Sequence, residues 1–485
     1  MGELLMSNRT FQLLIVEDEI EMSSIVNEVF SEQFSDINIT IASCRDEAYE
    51  ILNNPNALFD FITLDLNIPN VKNSYEKSPV NGLAVLAKCV TNIKGTPVLI
   101  LTGTSTVDMI DQFLSSSVKA DIWGSGTQRP TISHLRKEKL KDLSGVVSEV
   151  KSDFDSIFNV EFIFDTSDFS IPVEHDRLLR IFSKKHGSVI TKIKSIGGGL
   201  SKAKVYALEL INEHGHAFLR VISKCGPNEK IVEDSEHYSA YISRLPPEAT
   251  PRKIDLLTHG AASYGAVFYS LAQGYNYSFF SACEAGLLSA ELCSNIRDVL
   301  DTWHAVGANT TRSIQDIRRQ LLSDDDAYCL IEKYSIVRAR DFEDKVISCT
   351  LSVQHGDLHG ENILINVDKP STALIDYGDI SEMVGVIDPL TLECSFLFHP
   401  SSKKYDWPTE SNLENWHLID NYLDGCPISD DVRFCRDWMD SRKRGNREVS
   451  ACLYAYSLRQ LKYEGTNKDR AKKLIEVAFR LFDAS

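Results

Sequence analysis

The sequence predicts a doubly wound α/β domain followed by a larger α+β unit with a strand-rich first part and a mostly helical second part. Two observations carry this. Over the first 126 residues, short apolar runs alternate with stretches of helical spacing, the pattern of a parallel sheet covered on both faces. After about residue 172 that alternation stops. The 485 residues allow two to four domains at roughly 100–200 residues each, and 43% hydrophobic with 25% charged residues excludes wholesale disorder.

The elements follow in order. Residues 11–16 (FQLLIV) form a short apolar run suited to a buried parallel strand, and Ile25, Val29 and Phe30 mark a helix over 21–34. Further strands are expected at 37–42, 59–64 and 97–102, with helices at 46–53, 82–90 and 106–115. Residues 127–143 turn basic, and Leu135, Leu140, Leu143, Val147, Val150 and Phe154 fit a helix over 133–157, either a domain's last helix extended into a linker or a dimerising coiled coil. Breaker residues at 165–172 mark a boundary. The expected division is therefore 1–130, a helical linker 131–172, a strand-rich part 173–245 and a helical part 246–485.

The net charge of −18 argues against a general nucleic-acid binder, which needs a basic face. From residue 1 to 126 there are 17 acidic and 7 basic residues, so −10 of that charge falls in about a quarter of the chain. The 11 cysteines show no C-x-x-C spacing, so buried free thiols in a reducing cytoplasm are expected rather than disulfides or structural zinc. The N-terminus lacks a secretory pattern, and no apolar run approaches the roughly 20 residues of a membrane span.

Three of the strands end in polar residues that a parallel sheet brings to one rim. The first ends in Glu17-Asp18-Glu19, the second in Asp65, the third in Thr102-Gly103. Carboxylates gathered so closely call for a divalent cation, and hard oxygen ligands suit Mg²⁺. Over about 10–130, this constellation resembles the receiver domain of two-component response regulators, a flavodoxin-like fold. The resemblance implies Glu17 and Asp18 as Mg²⁺ ligands with Asp65, Asp65 as phosphoacceptor, and Thr102 and Trp123 as the residues that sense the phosphoryl group. Its partner would be a histidine kinase or a phosphotransfer protein. Receivers carry a lysine three residues after the switch aromatic, and counting from Trp123 puts Gly126 there, a departure that leaves a pseudo-receiver open. The stretch between Asn67 and Gly82 is also longer than usual and borders the site.

The strongest motif is VQHGDLHGENILIN at 353–366, followed by TALIDYGDI at 372–380. His355, Asp357 and Asn362 form H-x-D-x₄-N, and the apolar stretches 363–365 and 373–375 read as a hairpin that carries Asn362 and Asp376 toward one metal site. Phosphoryl transfer needs these parts: a carboxylate to orient the acceptor hydroxyl, and Asn with Asp to hold Mg²⁺ on the phosphates. Over about 185–485, the chain resembles the kinase-like small-molecule phosphotransferases, the aminoglycoside phosphotransferases and choline kinases, a two-lobed α+β fold. By resemblance Asp357 is the catalytic base, and Asn362 and Asp376 bind Mg²⁺. His355 is expected to brace the loop. Asp388 and Glu393 match the acidic-apolar helix that follows the metal loop in that family, and the helix at 454–463 matches its closing segment.

Upstream, IKSIGGGLSKAKVYALEL at 193–210 reads strand, Gly-rich turn, strand. Gly197, Gly198, Gly199 and Ser201 would let backbone N–H groups approach a phosphate of ATP. Lys224 on the next strand is the expected phosphate-pairing cation, with Arg220 as competitor, and its acidic partner is Glu233 or Asp234 on the following helix. The expectation is an ATP- and Mg²⁺-dependent phosphotransferase acting on a hydroxyl acceptor and regulated by the receiver, with homodimerisation through the linker helix as one route. The competing reading is a non-catalytic nucleotide-binding scaffold with a pseudo-receiver, acting through protein partners.

Overall fold

The computed structural model describes residues 10–54, 57–103, 118–165, 170–196, 203–270, 274–305, 307–402 and 404–485. The helix expected over 106–115 lies outside them. The chain divides into two compact units: residues up to Val232 with Lys253–Ser270, and Glu233–Arg252 with the remainder to Ser485.

The first unit begins with a five-stranded parallel sheet of β1 (Phe11–Val16), β2 (Ile37–Ala42), β3 (Phe61–Asp65), β4 (Val98–Thr102) and β5 (Ile132–Arg136), in the order β2-β1-β3-β4-β5. This is the doubly wound order of flavodoxin-like sheets. Alternation along β1 sends Phe11, Leu13 and Ile15 into one core and Leu14 and Val16 into another, because successive side chains of a strand point to opposite faces. The second core is closed by α2 (Arg45–Leu52) and α3 (Pro79–Asn92), through Ala48, Leu52, Val85, Leu86 and Cys89. The first is closed by α1 (Ile20–Gln33) and α4 (Leu143–Ile157). In α4, Leu143, Val147, Val150, Phe154 and Ile157 form the apolar stripe.

The helix expected over 133–157 is thus corrected at its start. Residues 132–136 are a strand, and the helix begins at Leu143. β4 is buried along its whole length, and its second edge needs hydrogen-bonding partners, which β5 provides through Val98↔Ile132 to Thr102↔Arg136. The segment 131–172 is accordingly no free linker. It contains the fifth strand of the parallel sheet and helix α4, followed by β6 (Glu161–Phe164), which pairs in parallel with β7 (Ile190–Ser195) of the next sheet.

That second sheet is mostly antiparallel: β6, β7, β8 (Lys204–Ile211), β9 (Ala217–Pro227), β11 (Tyr264–Ser270) and β10 (Arg252–Leu257), in that order. It is covered by α5 (Val173–Lys185), whose Phe182 stacks on Phe268 at a ring separation of 3.7 Å. Leu178, Leu179, Phe182, Tyr206, Val221 and Phe268 belong to the same buried cluster as Phe11, Phe30, Phe61 and Phe154. The two sheets of this unit therefore share one apolar core. A buried ion pair stands within it, Arg177 Nη1 to Asp60 Oδ1 at 2.6 Å, with the guanidinium over the Phe154 ring at 5.2 Å. Helix α6 (Asn228–Tyr241) leads out of β9.

The second unit is mostly helical. Its principal elements are α7 (Ala290–His304), α8 (Ile387–Phe398), α9 (Ser429–Arg442), α10 (Asn446–Gln460) and α11 (Lys468–Asp483). Two short antiparallel sheets lie among the helices. One joins β12 (Ala308–Ser313), β13 (Val346–Gln354) and β16 (Ser381–Val384); the other is built on the hairpin β14 (Ile363–Asn366) and β15 (Ser371–Leu374). All eleven cysteines are free, as the spacing predicts. Among the described residues, no helix is long and apolar enough to cross a membrane.

Removing one partner of a buried ion pair strands the other charge. Arg177→Met is expected to lower unfolding free energy by about 3–5 kcal/mol, with Asp60→Asn/Arg177→Met recovering part of the loss, as read by chemical denaturation.

Candidate functional site

The first site stands at the carboxyl ends of β1, β3 and β4. Glu17, Asp18 and Asp65 each offer a carboxylate oxygen, and these lie within 4.8 Å of one another. Glu17 and Asp65 are buried, and Thr102, also buried, follows Leu101, the register partner of Asp65. Glu19 stands at the N-cap of α1 but makes no side-chain cap bond, so capping does not explain the acidic run.

Lys137, directly after β5, enters this pocket. Its Nζ donates to Asp65 Oδ2 at 2.8 Å and to Glu17 Oε2 at 2.9 Å. The lysine that position 126 lacks is therefore present at position 137. Residues 119–130 form a short arm of two-residue strands (Lys119–Ala120 and Arg129–Pro130) ahead of β5, which sets that strand and Lys137 further along the chain. Trp123 is corrected with it. It lies in that arm, where its carbonyl accepts from Lys184 Nζ at 2.9 Å and its ring is buried in the core shared with α5, away from Asp65. The residue three before Lys137 is His134, exposed on β5.

Electrostatics here oppose simple ionisation. Burial, followed by the Asp65 charge, pushes the Glu17 carboxyl up to about 7, against the pull of Lys137. Burial also disfavours charge on Lys137, but its bonds to Asp65 and Glu17 hold the ammonium above the usual lysine range. One Asp18 oxygen, Oδ1, is buried with no hydrogen-bond partner. Three hard oxygen donors, one of them unsatisfied, fit a divalent cation such as Mg²⁺, whose charge would offset the crowded carboxylates.

The second site is built within the second unit. β13 runs into the loop of His355, Gly356 and Asp357, and helix α8 fixes that loop: the N–H groups of His355 and Gly356 donate to Asp388 Oδ2 and Oδ1 at 2.8 and 3.0 Å. Gly356, at φ +80°, lies so close to Asp379 that a Cβ would meet its carbonyl oxygen at 2.6 Å. The buried His355 ring spans the loop to the Ile375 carbonyl at 3.0 Å, which is a bracing contact.

Asn362 directly precedes β14 and donates from Nδ2 to the Asp357 carbonyl at 2.8 Å, while its own carbonyl accepts from Ile375 N at 3.0 Å. Asp376 follows directly and sits at φ +62°, in the left-handed region that aspartate tolerates better than most side chains. The H-x-D-x₄-N loop and the hairpin therefore bring Asp357, Asn362 and Asp376 to one locality, as the spacing predicts.

Sequence reasoning missed Arg459. From the end of α10 its Nη2 reaches Asp357 Oδ1 at 3.4 Å and Asp379 Oδ2 at 3.7 Å, and its Nε donates to the Tyr463 hydroxyl at 3.0 Å. Burial, then the Asp357 charge, raises the Asp379 carboxyl. His359 Nε2 stands 3.7 Å from Asp357 Oδ2, and burial lowers its basicity. The oxygen donors of Asn362 and Asp376 suit Mg²⁺. Glu393 instead forms a buried ion pair with Arg436 at 2.7 Å, a structural role.

The residues expected to contact a nucleotide fall differently. Gly197, Gly198, Gly199 and Ser201 lie outside the described residues. Lys224 is half-buried on β9, paired with Val205 and Val267, on the strand face opposite Val221 and Cys225, which enter the core. Arg220 is exposed and bound to Glu209 at 2.7 Å. Asp234 is buried on α6.

Glu17 gives the metal-free protein a measurable pH dependence. Between its ordinary value of 4.5 and about 7, the folded state keeps a proton that the unfolded state has released, so stability falls as pH rises through this window. In chelator, Glu17→Gln is expected to remove roughly 2–3 kcal/mol of that decline between pH 4.5 and 8, read as a flatter dependence of unfolding free energy on pH.

Known proteins resemble parts of this chain. Residues 13–121 match the response regulator receiver domain family, ending ahead of β5 and most of the arm. A search of curated proteins found no match. Among solved structures, similarity extends to an amicoumacin kinase in complex with AMP-PNP and Ca²⁺ (12% identity, 60% of this chain and 88% of that one, TM-score 0.34). It extends also to a Plasmodium vivax ethanolamine kinase (11% identity, 66% and 93%, TM-score 0.34) and to a Clostridium thermocellum response regulator receiver domain (18% identity, 29% and 94%, TM-score 0.22). Residues 13–121 thus match the receiver-domain family, and the rest of the chain is a mixed α+β region.

Proposed function

We propose that the protein is an ATP- and Mg²⁺-dependent phosphotransferase acting on a hydroxyl acceptor, with the receiver as its regulatory element. The observation that carries this is the cluster of Asp357, Asn362 and Asp376 on a loop and hairpin braced by Asp388 and His355. Asp357 orients and accepts the proton of the acceptor hydroxyl, and Asn362 and Asp376 hold the metal that carries the ATP phosphates. Lys224, with Asp234 or Glu233 as its acidic partner, is the proposed contact to the phosphates. Arg459 fixes the Asp357 carboxylate and balances the second carboxylate, Asp379.

In the receiver, Asp65 is the proposed phosphoacceptor from a phosphohistidine donor, with Glu17 and Asp18 as its metal ligands, Thr102 beside it and Lys137 as the cation that pairs with the phosphoryl group. Lys137, whose Nζ reaches Asp65 and Glu17, supports this reading over the pseudo-receiver that Gly126 left open.

Asp357→Asn is expected to abolish ATP-dependent transfer, a loss on the order of 10²–10⁴-fold, while leaving the circular dichroism spectrum unchanged; undiminished turnover across an acceptor panel would refute the assignment. Incubation with acetyl phosphate and Mg²⁺ is expected to add about 80 Da, and Asp65→Asn to prevent the addition, as read by intact-protein mass spectrometry.

A further inference from the structure

The segment between Asn67 and Gly82 is longer than receivers usually carry, and it is an ordered flap. Two-residue strands pair Ile68 with Ser78 and Pro69 with Lys77. Asn81 Nδ2 donates to the Ile68 carbonyl at 3.0 Å, the Asn70 carbonyl accepts from Asp46 N at 3.0 Å, and Lys72 pairs with Glu47 at 2.8 Å. Gly82 seats the following helix so tightly that a Cβ there would meet Leu66 Cα at 2.3 Å. With its ends held, the flap delivers one side chain to the acidic pocket: Lys77 Nζ lies 2.7 Å from Asp18 Oδ2 and 3.2 Å from Glu19 Oε1.

We propose that Lys77 is a tethered cation that competes with a divalent metal ion for Asp18 and thereby sets the metal affinity of the receiver pocket. The proposal rests on reading Glu17, Asp18 and Asp65 as the metal site. Lys137 serves Glu17 and Asp65, so Lys77 alone neutralises Asp18 among the charges described there. With Glu17 ionised, as it is above about pH 7, the two ammonium groups leave the three carboxylates with a net charge of −1; without Lys77 it is −2. A dication entering the pocket gains Asp18 only as Lys77 releases it. The lysine can do so, because its side chain is 31% exposed whereas that of Asp18 is 14% exposed. The ammonium swings toward solvent and Glu19, and the flap backbone stays anchored by its own hydrogen bonds. Removing one positive charge a few ångströms from a dication at a partly wet surface strengthens binding by about tenfold.

The test is isothermal titration of Mg²⁺ into the full chain. Lys77→Ala is expected to bind Mg²⁺ about tenfold more tightly than wild type, Lys77→Arg to stay near wild type, and Lys72→Ala, which cuts a salt bridge on the same flap outside the pocket, to leave affinity unchanged. Equal or weaker Mg²⁺ binding by Lys77→Ala, or the same gain in Lys72→Ala, overturns the proposal. Absence of Mg²⁺ binding in wild type and Lys77→Ala alike overturns the metal-site reading on which it rests.

Discussion

The first unit depends on a single apolar core that a parallel and an antiparallel sheet both face. Burying Phe11, Phe30 and Phe154 together with Phe182 and Phe268 removes the outer layer that either sheet would otherwise need. It also dictates where polarity can go. The amino-terminal ends of the strands are committed to this packing, and the charge that enters there, Asp60, is held by Arg177 beneath the aromatic rings. The carboxyl ends remain available for Glu17, Asp18 and Asp65. Chemistry and packing are thereby assigned to opposite edges of the same sheet.

Both candidate sites meet the same electrostatic difficulty in the same way. Carboxylates are gathered more densely than burial alone would permit, and a basic side chain from a distant part of the sequence holds them together. In the receiver, Lys137 bridges Glu17 and Asp65; in the kinase-like region, Arg459 bridges Asp357 and Asp379. In each case the bridging charge enters from the end of an element that follows the acidic motif in the chain. The acidic groups come from short loops after strands, where local sequence fixes their spacing.

That difference explains what could be read from the sequence. The first four strands were legible because their apolar residues form continuous runs or, at Ile37–Ala42, a strict alternation, and the H-x-D-x₄-N loop and its hairpin because all their parts lie within 25 residues. β5 was not. Its ISHLR pattern is half-polar at a sheet edge, and it lies beyond the 119–130 arm, so Lys137, not Gly126, reaches the pocket. Arg459 was invisible for another reason: it stands about a hundred residues from Asp357, and no local pattern distinguishes it from any other helix-terminal arginine. Lys77 depends on a pair of two-residue strands, too short for periodicity to reveal.

The parallel pairing of Glu161–Phe164 with Ile190–Ser195 begins only a few residues after helix α4 ends at Ile157. A flexible tether transmits proximity and loses direction. A strand laid into the neighbouring sheet by backbone hydrogen bonds keeps direction. The junction is a seam rather than a tether, stitched by the pairing of Glu161–Phe164 with the next sheet.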